Sequence, residues 1–236
     1  MNYQQFNNIL NNYNIKSITN NQYTSYTQFY NYLIEENSKY NLTSITNEDE
    51  VYLKHFVDSL LGSNIIKDNS SILDIGCGAG FPSIPLAICN PTYKITAIDS
   101  VNKKINFVNN AAKLLNLSNI NAIHTRIEDL AYNNQYRETF DIVVSRAVAP
   151  LNTLIEYAIP FLKINGKFVA YKSINAMEEI NIAKNALKEL NSEIEDYIDI
   201  DFKEINSQRC FIIIKKFNKT AKKYPRIQNK ARKQPL

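Results

Sequence analysis

The apolar and polar positions of this chain follow two different periods, and the change between them falls near residue 70. Before that point apolar side chains recur every three or four positions, which predicts amphipathic helices. The two stripes comprise Tyr3, Phe6, Ile9, Leu10 and Tyr13, and Tyr23, Tyr26, Tyr30, Leu33 and Ile34. A third helix is predicted from about Asn47 to Gly62. Stripes so rich in tyrosine favour a packed core over a platform on which RNA bases stack.

Beyond residue 70, short apolar runs alternate with helical stretches, which predicts right-handed crossovers and a parallel sheet. The predicted strands are Ser71–Ile75, Lys94–Ile98, Asn121–Thr125, Phe140–Val144 and Lys167–Tyr171. The predicted helices are Pro82–Cys89, Val101–Leu115, Pro150–Pro160 and Ala176–Leu190.

The end of the chain breaks this alternation. Ile198, Ile200 and Phe202 alternate with acidic residues, and Phe211–Ile214 is apolar throughout. The link between them is too short for a parallel crossover, so they should pair as an antiparallel hairpin. The expected fold is α/β: a mostly parallel, doubly wound sheet ending in an antiparallel hairpin, the class I (Rossmann-like) methyltransferase pattern. We expect a helical extension at 1–62, the methyltransferase domain at 63–217 and a basic tail at 218–236.

A glycine-rich loop follows the first strand and holds Gly76, Gly78 and Gly80, three of the five glycines in the chain. Glycines allow a sharp turn and let a ligand approach the bare backbone. The dinucleotide pattern requires a third glycine where this chain has Phe81. Pro82 and Pro85 should both fall in the first turn of the next helix, where they remove N–H groups that a pyrophosphate needs. The loop therefore favours S-adenosylmethionine, which has no phosphate, over a nicotinamide dinucleotide.

Acidic residues follow the second and third strands. Asp99 ends the second strand, where a carboxylate can accept both ribose hydroxyls in a doubly wound sheet, although such a residue can also cap a helix. Ile127 and Glu128 follow the third strand and could frame an adenine. An exposed acid at the start of a helix is the alternative for Glu128.

Charge is unevenly distributed along the chain, whose net charge is +4. Up to Glu204 there are 17 Lys or Arg and 23 Asp or Glu, and beyond it there are ten basic residues and no acid. This pattern fits a polyanionic partner, and equally a solvated, disordered tail. We expect the tail to contact RNA phosphates, and the cofactor pocket to survive its removal because the strands that build it end earlier.

Other features exclude several classes of protein. No apolar run reaches the roughly 18 residues of a bilayer span, and the start lacks a signal-peptide pattern, so we expect a cytoplasmic protein without membrane contact. His55 and His124 are far apart, and the three cysteines form no CxxC pair, which predicts neither a metal site nor a disulfide framework. The sequence favours no particular oligomeric state.

Several stretches resemble the RsmG (GidB) family of bacterial 16S rRNA guanine-N7 methyltransferases. They are Asn41–Ile45, His55–Leu60, Gly80–Leu86, Ser145–Leu151, Tyr171–Lys172, Tyr224–Arg226 and Pro235–Leu236. The resemblance covers nearly the whole chain and implies methylation of a guanine in the decoding region, with 16S rRNA or the small ribosomal subunit as partner. It further implies that Gly76, Phe81, Ile127, Glu128 and Arg146 contact S-adenosylmethionine and that Lys172 lies on the substrate side.

The chemistry expected after the fourth strand agrees with this resemblance. Guanine N7 carries a free lone pair, so direct in-line methyl transfer needs no general base. The sequence has no Asn-Pro-Pro-Tyr motif after that strand and no cysteine nucleophile there or after the fifth. Arg146 stands there instead, able to bind the methionine carboxylate or an RNA phosphate, with a surface salt bridge as the alternative.

Three other functions remain open at this point. A small-molecule methyltransferase would share the fold without needing the basic tail. A nicotinamide-dependent oxidoreductase would share the alternation, but it conflicts with Phe81, the two prolines and the hairpin. A non-catalytic RNA-binding adaptor would keep the tail without needing the glycine loop.

Overall fold

A seven-stranded sheet with the strand order β3-β2-β1-β4-β5-β7-β6 forms the centre of the computed structural model, which describes residues 1–173 and 176–236. β1 to β5 pair in parallel, and β7 pairs antiparallel with β5 and β6. This confirms the predicted mostly parallel sheet with its terminal hairpin. The strands are β1 Ser71–Ile75, β2 Lys94–Asp99, β3 Ile120–His124, β4 Phe140–Arg146, β5 Leu162–Lys172, β6 Ser192–Phe202 and β7 Ser207–Lys216.

Helices cover both faces of the sheet. They are α1 Tyr3–Asn12, α2 Asn20–Tyr40, α3 Glu48–Val51, α4 Asp58–Leu60, α5 Ser83–Cys89, α6 Asn102–Leu114, α7 Ile127–Ala131, α8 Leu151–Ala158, α9 Ala176–Ile182, α10 Lys184–Glu189 and α11 Lys230–Lys233. The single helix predicted over Ala176–Leu190 is two helices, because the turn tightens at Ala183. The N–H of Ala183 is shared between the carbonyls of Glu179 and Ile180. In the described part of the chain, no helix is both long and apolar enough to cross a membrane.

The N-terminal helices begin at side-chain caps and meet in an aromatic core. Asn2 and Gln5 form a capping box on α1, as Thr19 and Gln22 do on α2, and Asn47 caps α3. A π-helical segment, Tyr52–Val57, joins α3 to α4. The fully buried rings of this core are Phe6, Tyr26, Phe29, Tyr52 and Phe56. Their mutual packing at centroid distances of 5.0–5.6 Å confirms that the aromatic stripes form core.

The two faces of the sheet bury different parts of the chain. The N-terminal helices, α5 and α6 share one hydrophobic cluster with the sheet face that includes Ile72 and Val144. α8 and the other face, which includes Leu73 and Val143, form the second cluster. The C-terminal segment joins this second cluster through Tyr224 and Ala231, which are 3% and 0% exposed. The segment is therefore packed against the body, in contrast to the solvated alternative.

Candidate functional site

The glycine loop lies at the carboxyl edge of the sheet, directly after β1. Gly76, Gly78 and Gly80 have φ angles of 73°, 57° and 84°, a region that residues with a Cβ rarely adopt. A Cβ on Gly76 would lie 2.6 Å from Cγ2 of Val148, and one on Gly80 would lie 2.9 Å from the Ile84 side chain. A Cβ on Gly78 would meet no atom of the described residues within 4 Å. Gly76 and Gly80 therefore permit close packing, whereas Gly78 borders open space.

A cavity of about 510 Å³ opens beside this loop. It brings together Gly76, Asp99, Ile127 and Glu128, four of the eight residues predicted to hold the cofactor. The other four, Gly78, Gly80, Phe81 and Arg146, do not line it. Other elements contribute to its wall: Ser100, Val101, Lys104, Thr125, Arg126, Ala147, Val148, Tyr157, Asn229 and Arg232. We call it the loop cavity. The residues predicted from separate strands therefore meet at one place, and two residues of the C-terminal segment join them.

Asp99 connects the glycine loop to the end of β2. One carboxylate oxygen accepts a hydrogen bond of 3.1 Å from the Gly78 amide, and the other accepts one of 2.8 Å from the Val101 amide. Val101, not Asp99, is the residue at the N-cap of α6. Glu128 lies in the first turn of α7 but is only 7% exposed, so it is not an exposed helix-start acid. The Asp99 carboxylate is thus held at the cavity by the local backbone, and Glu128 lies buried in the same wall.

The helix after the glycine loop offers a phosphate few free donors. α5 begins at Ser83, with Pro82 at the N-cap, so Pro82 lies one position earlier than predicted. Pro85 has no N–H, and the amides of Ile84 and Leu86 already donate to the carbonyls of Gly80 and Pro82. This start is poorly suited to a pyrophosphate.

A buried acid lies under the loop. Asp74 is 0% exposed, and among the described residues neither of its carboxylate oxygens has a hydrogen-bond partner of good geometry. Burial raises its pKa to about 7, against the lowering effects of Ser83 and Arg146. Asp74 does not line the cavity, so it would act on a ligand only through its charge, which disfavours a pyrophosphate and favours a cation. The residues present therefore fit S-adenosylmethionine, which carries a sulfonium and an ammonium.

A second cavity, of about 500 Å³, adjoins the first at Ala147. We call it the basic cavity, because four cationic side chains line it: Lys54, Arg146, Lys172 and Arg209. His55, Asp58, Tyr171, Glu179 and Cys210 also contribute to its wall. Ala147 belongs to both cavities and has a φ of 56° immediately after β4. A group in one cavity would thus lie next to a group in the other.

Arg146 leaves the end of β4 and points towards the N-terminal helices. Its guanidinium donates 2.8 Å to Asp58 and 3.3 Å to the carbonyl of Lys54, and lies 5.3 Å from the ring centroid of Phe81. Its side chain is 17% exposed and that of Asp58 only 7%, so this ion pair is mostly buried. Phe81 is itself 6% exposed and lines neither cavity. The Phe81 ring packs against both the Arg146 guanidinium and the His55 ring.

His55 is neutral at physiological pH. Its ring stacks on Phe81 at 4.5 Å, and its nitrogens lie 2.8 Å from the Thr43 hydroxyl and 3.4 Å from the Arg146 guanidinium. Burial and the nearby Arg146 charge lower its pKa to about 4. It therefore adds no positive charge to the basic cavity.

Lys172 ends β5 and is held in place on two sides. Its ammonium donates 2.6 Å to the carboxylate of Glu179 and 3.0 Å to the carbonyl of Ala149. Glu179 also accepts the amide of Leu151 at the start of α8. Lys172 and Arg146 thus reach the basic cavity from neighbouring strands.

Two sets of residues at these cavities were missed by the sequence reasoning. Asp58 and Arg209 form a mostly buried ion pair that reaches from α4 to β7. The sequence signal for this pair was Asp58, an acid inside the apolar stretch His55–Leu60, because an acid rarely remains buried without a partner. Asn229 and Arg232 lie in a tail that composition alone describes only as basic.

Comparisons with known proteins agree with this geometry. The chain matches the family described as rRNA small subunit methyltransferase G over residues 22–206. It is 44% identical over 213 residues to the Ribosomal RNA small subunit methyltransferase G of Caldanaerobacter subterraneus subsp. tengcongensis, covering 89% of each chain. It is 41% identical to the protein of that name from Bacillus cytotoxicus, covering 100% of this chain and 99% of the relative. M. jannaschii TYW2 in complex with AdoMet shares the fold, with a TM-score of 0.56 and 18% identity over 74% of this chain and 80% of that one.

Proposed function

Since the chain belongs to the rRNA small subunit methyltransferase G family, we propose that it transfers a methyl group from S-adenosylmethionine to N7 of a guanine in bacterial 16S rRNA. The observation that carries this proposal is the junction of the two cavities at Ala147. One cavity has the carboxylates of a nucleoside site, and the other has an excess of positive charge for RNA, with four cations against the two carboxylates of Asp58 and Glu179. In this proposal residues 1–62 are a helical extension, 63–217 the methyltransferase domain and 218–236 the tail.

The cofactor would occupy the loop cavity. Asp99 would accept the ribose hydroxyls while its backbone bonds hold the glycine loop closed. Ile127 and Glu128 would frame the adenine. Gly76 and Gly78 would let the cofactor approach the backbone, Gly80 and Phe81 would support the loop from beneath, and Arg146 would hold the methionine carboxylate.

The chemistry needs alignment rather than proton removal. S-adenosylmethionine supplies an electrophilic methyl group on its sulfonium when bound. Guanine N7 already has a lone pair in the ring plane, so the protein needs to orient the base and exclude water. Arg146 and Lys172 would position the guanine nucleotide by binding its oxygens. His55, whose pKa is lowered to about 4, would add no positive charge to this binding site near pH 7.

The RNA partner would be held by the basic cavity and by exposed cations of the C-terminal segment. Lys222, Lys223, Lys230 and Lys233 are exposed and belong to this segment. Arg226 is different, because it is bound bidentately to Glu156 and has little left to offer RNA. A ribosomal substrate would place the enzyme in the cytoplasm.

The decisive test is to identify the modified base. The purified protein is incubated with labelled S-adenosylmethionine and either naked 16S rRNA or small subunits that lack the modification, and the RNA is then digested. Label in 7-methylguanosine at one position supports the proposal. Label in another base or RNA, or transfer only to a small molecule, refutes it.

Direct attack by N7, which needs no general base, makes a separate kinetic prediction. At saturating cofactor and RNA, the single-turnover rate should stay flat between about pH 6 and 9. A tenfold rise per pH unit over part of that window would contradict direct attack by N7.

A further inference from the structure

The C-terminal segment, residues 221–236, is pinned to the body by buried polar contacts. Glu156 of α8 is 0% exposed, and its carboxylate accepts the Arg226 guanidinium at 2.9 and 2.6 Å and the Arg226 amide at 2.7 Å. Arg137 donates to the carbonyls of Ala221 and Tyr224. Ala231 is fully buried, and its carbonyl accepts the Thr153 hydroxyl at 3.3 Å. These bonds fix where the residues after Arg226 can lie.

That fixed position brings the segment to the loop cavity. Asn229 and Arg232 line it together with Asp99, Ile127 and Glu128. Burial and the Glu128 carboxylate raise the pKa of Tyr157 in the same wall, and the Arg232 guanidinium opposes this with a smaller lowering effect. Residues beyond the last strand therefore also contribute to this wall, so removal of the tail would open one side of the loop cavity.

Arg232 also reaches the loop that covers the glycines. Its guanidinium donates 3.4 Å to the carbonyl of Val148, and Cγ2 of Val148 lies 2.6 Å from the position of a Cβ built on Gly76. Val148 thus links Arg232 to the backbone of Gly76, which the cofactor would approach.

We propose that residues 221–236 form one wall of the S-adenosylmethionine pocket and that Arg232 binds the adenosine half of the cofactor while holding Val148 against Gly76. This inference rests on the proposed function, because it assigns the loop cavity to that cofactor. A planar guanidinium suits this place, since it can stack on a purine and donate to ribose or ring acceptors. The tail's cations are then divided: Arg226 anchors, Arg232 binds the cofactor, and the exposed lysines remain for RNA.

The test compares two cations of α11. Arg232→Ala removes the cavity-lining charge, and Lys233→Ala removes a neighbouring charge that is exposed, as Arg232 is, but lies outside the loop cavity as the described residues define it. S-adenosylhomocysteine and 5′-methylthioadenosine, which lacks the amino-acid part, are titrated by calorimetry into the full-length proteins. Arg232→Ala should raise Kd for both probes about tenfold, and Lys233→Ala should leave both within about twofold. Equal affinities for the two variants would overturn the inference.

A second variant tests whether a loss of cofactor binding could come from misfolding of the segment. Asn229 has a φ of 56°, so Asn229→Gly keeps the backbone conformation while removing a side chain from the cavity. It should weaken both probes with an unchanged Tm. Suppose that the wild type binds the probes and methylates RNA, and that both cavity variants bind the probes as tightly as the wild type. That result would refute the assignment of residues 221–236 to the pocket wall and would leave the proposed function intact. A wild type that binds neither probe would refute both.

Salt dependence separates the wall from a purely RNA-binding tail. Loss of one phosphate contact should flatten the slope of log K against log salt by about 0.7–0.9. A flatter slope for Arg232→Ala with unchanged cofactor affinity would assign this residue to RNA and contradict the inference.

Discussion

Arg146 at the end of β4 donates a hydrogen bond of 2.8 Å to Asp58, a carboxylate from the N-terminal helical region. The other oxygen of this carboxylate accepts Arg209 from β7. One acid of α4 therefore holds two cations of the basic cavity, and it joins the N-terminal helices to β4 and to the antiparallel strand β7. The N-terminal helices contribute to the basic cavity through this contact.

Asp58→Asn should destabilise the protein and disorder the basic cavity. An amide cannot neutralise two partly buried guanidinium groups, and breaking a buried pair costs about 3–5 kcal/mol. Because Arg146 and Arg209 keep some exposure, we expect the low end, about 3 kcal/mol. Urea denaturation measures this loss, with the exposed Glu193→Gln as control. Equal stability of the two variants would show that the pair contributes nothing.

The sequence predicted the parts of the fold that repeat a local pattern. β1 was predicted with its observed bounds because Ile72, Leu73 and Ile75 form a short apolar run flanked by turn residues. β5 begins five residues before its predicted start at Lys167, because Leu162 pairs with Phe140 beyond an irregularity in the register. That pairing depends on the neighbouring strand and leaves no trace in the local pattern.

The candidate site was predictable where it follows strand ends. Asp99, Glu128 and Arg146 each stand at a carboxyl end, and the parallel sheet brings such ends to one edge. Asp58, Arg209 and Arg232 come to the cavities through tertiary contacts between distant segments. No periodicity records such contacts, so these three required the structure.

Asp99→Ala should weaken binding of S-adenosylhomocysteine by about 1.5–3 kcal/mol, the range for a hydrogen bond to a charged group. Asp99→Asn should lose less, since an amide oxygen can still accept the Gly78 amide and keep the loop closed. Asp129→Ala, an exposed acid of α7, is the control. If calorimetry finds that both Asp99 variants bind as tightly as the wild type and the control, Asp99 is not part of the cofactor site.

Lys172→Ala and Arg146→Ala should have different effects. In the proposed function Lys172 lies on the substrate side, so its loss should impair methylation and leave cofactor affinity nearly intact. Arg146 rests on Phe81 beneath the glycine loop, so its loss should impair both. Single-turnover rates and calorimetric affinities separate the two effects. The reverse assignment, with Lys172 controlling cofactor affinity, would contradict the proposed roles.

Glu179→Gln should release Lys172 from its ion pair while preserving an acceptor for the Leu151 amide. A freed ammonium attracts RNA phosphate more strongly, so we expect tighter RNA binding and a steeper salt slope. Filter binding of a 16S rRNA fragment at several salt concentrations checks this. The neighbouring Glu178→Gln is the matched control. Identical slopes for the two variants would show that Glu179 does not restrain Lys172.

The folded protein should lose stability in acid through His55. In the unfolded chain this histidine takes up a proton near pH 6.5, whereas burial delays uptake in the folded state to about pH 4. Between these values the unfolded state binds more protons, so lowering the pH from 6.5 to 4 costs about 3 kcal/mol. Asp74 contributes the opposite trend, because its folded pKa is raised to about 7 and stability falls as the pH rises towards that value. As the pH falls from 6.5 to 4, the free energy of unfolding of His55→Gln should therefore decrease less than that of the wild type. Urea denaturation at intervals from pH 4 to 7 measures the difference. If the gap between the two proteins stays constant over that window, His55 does not titrate as its surroundings predict.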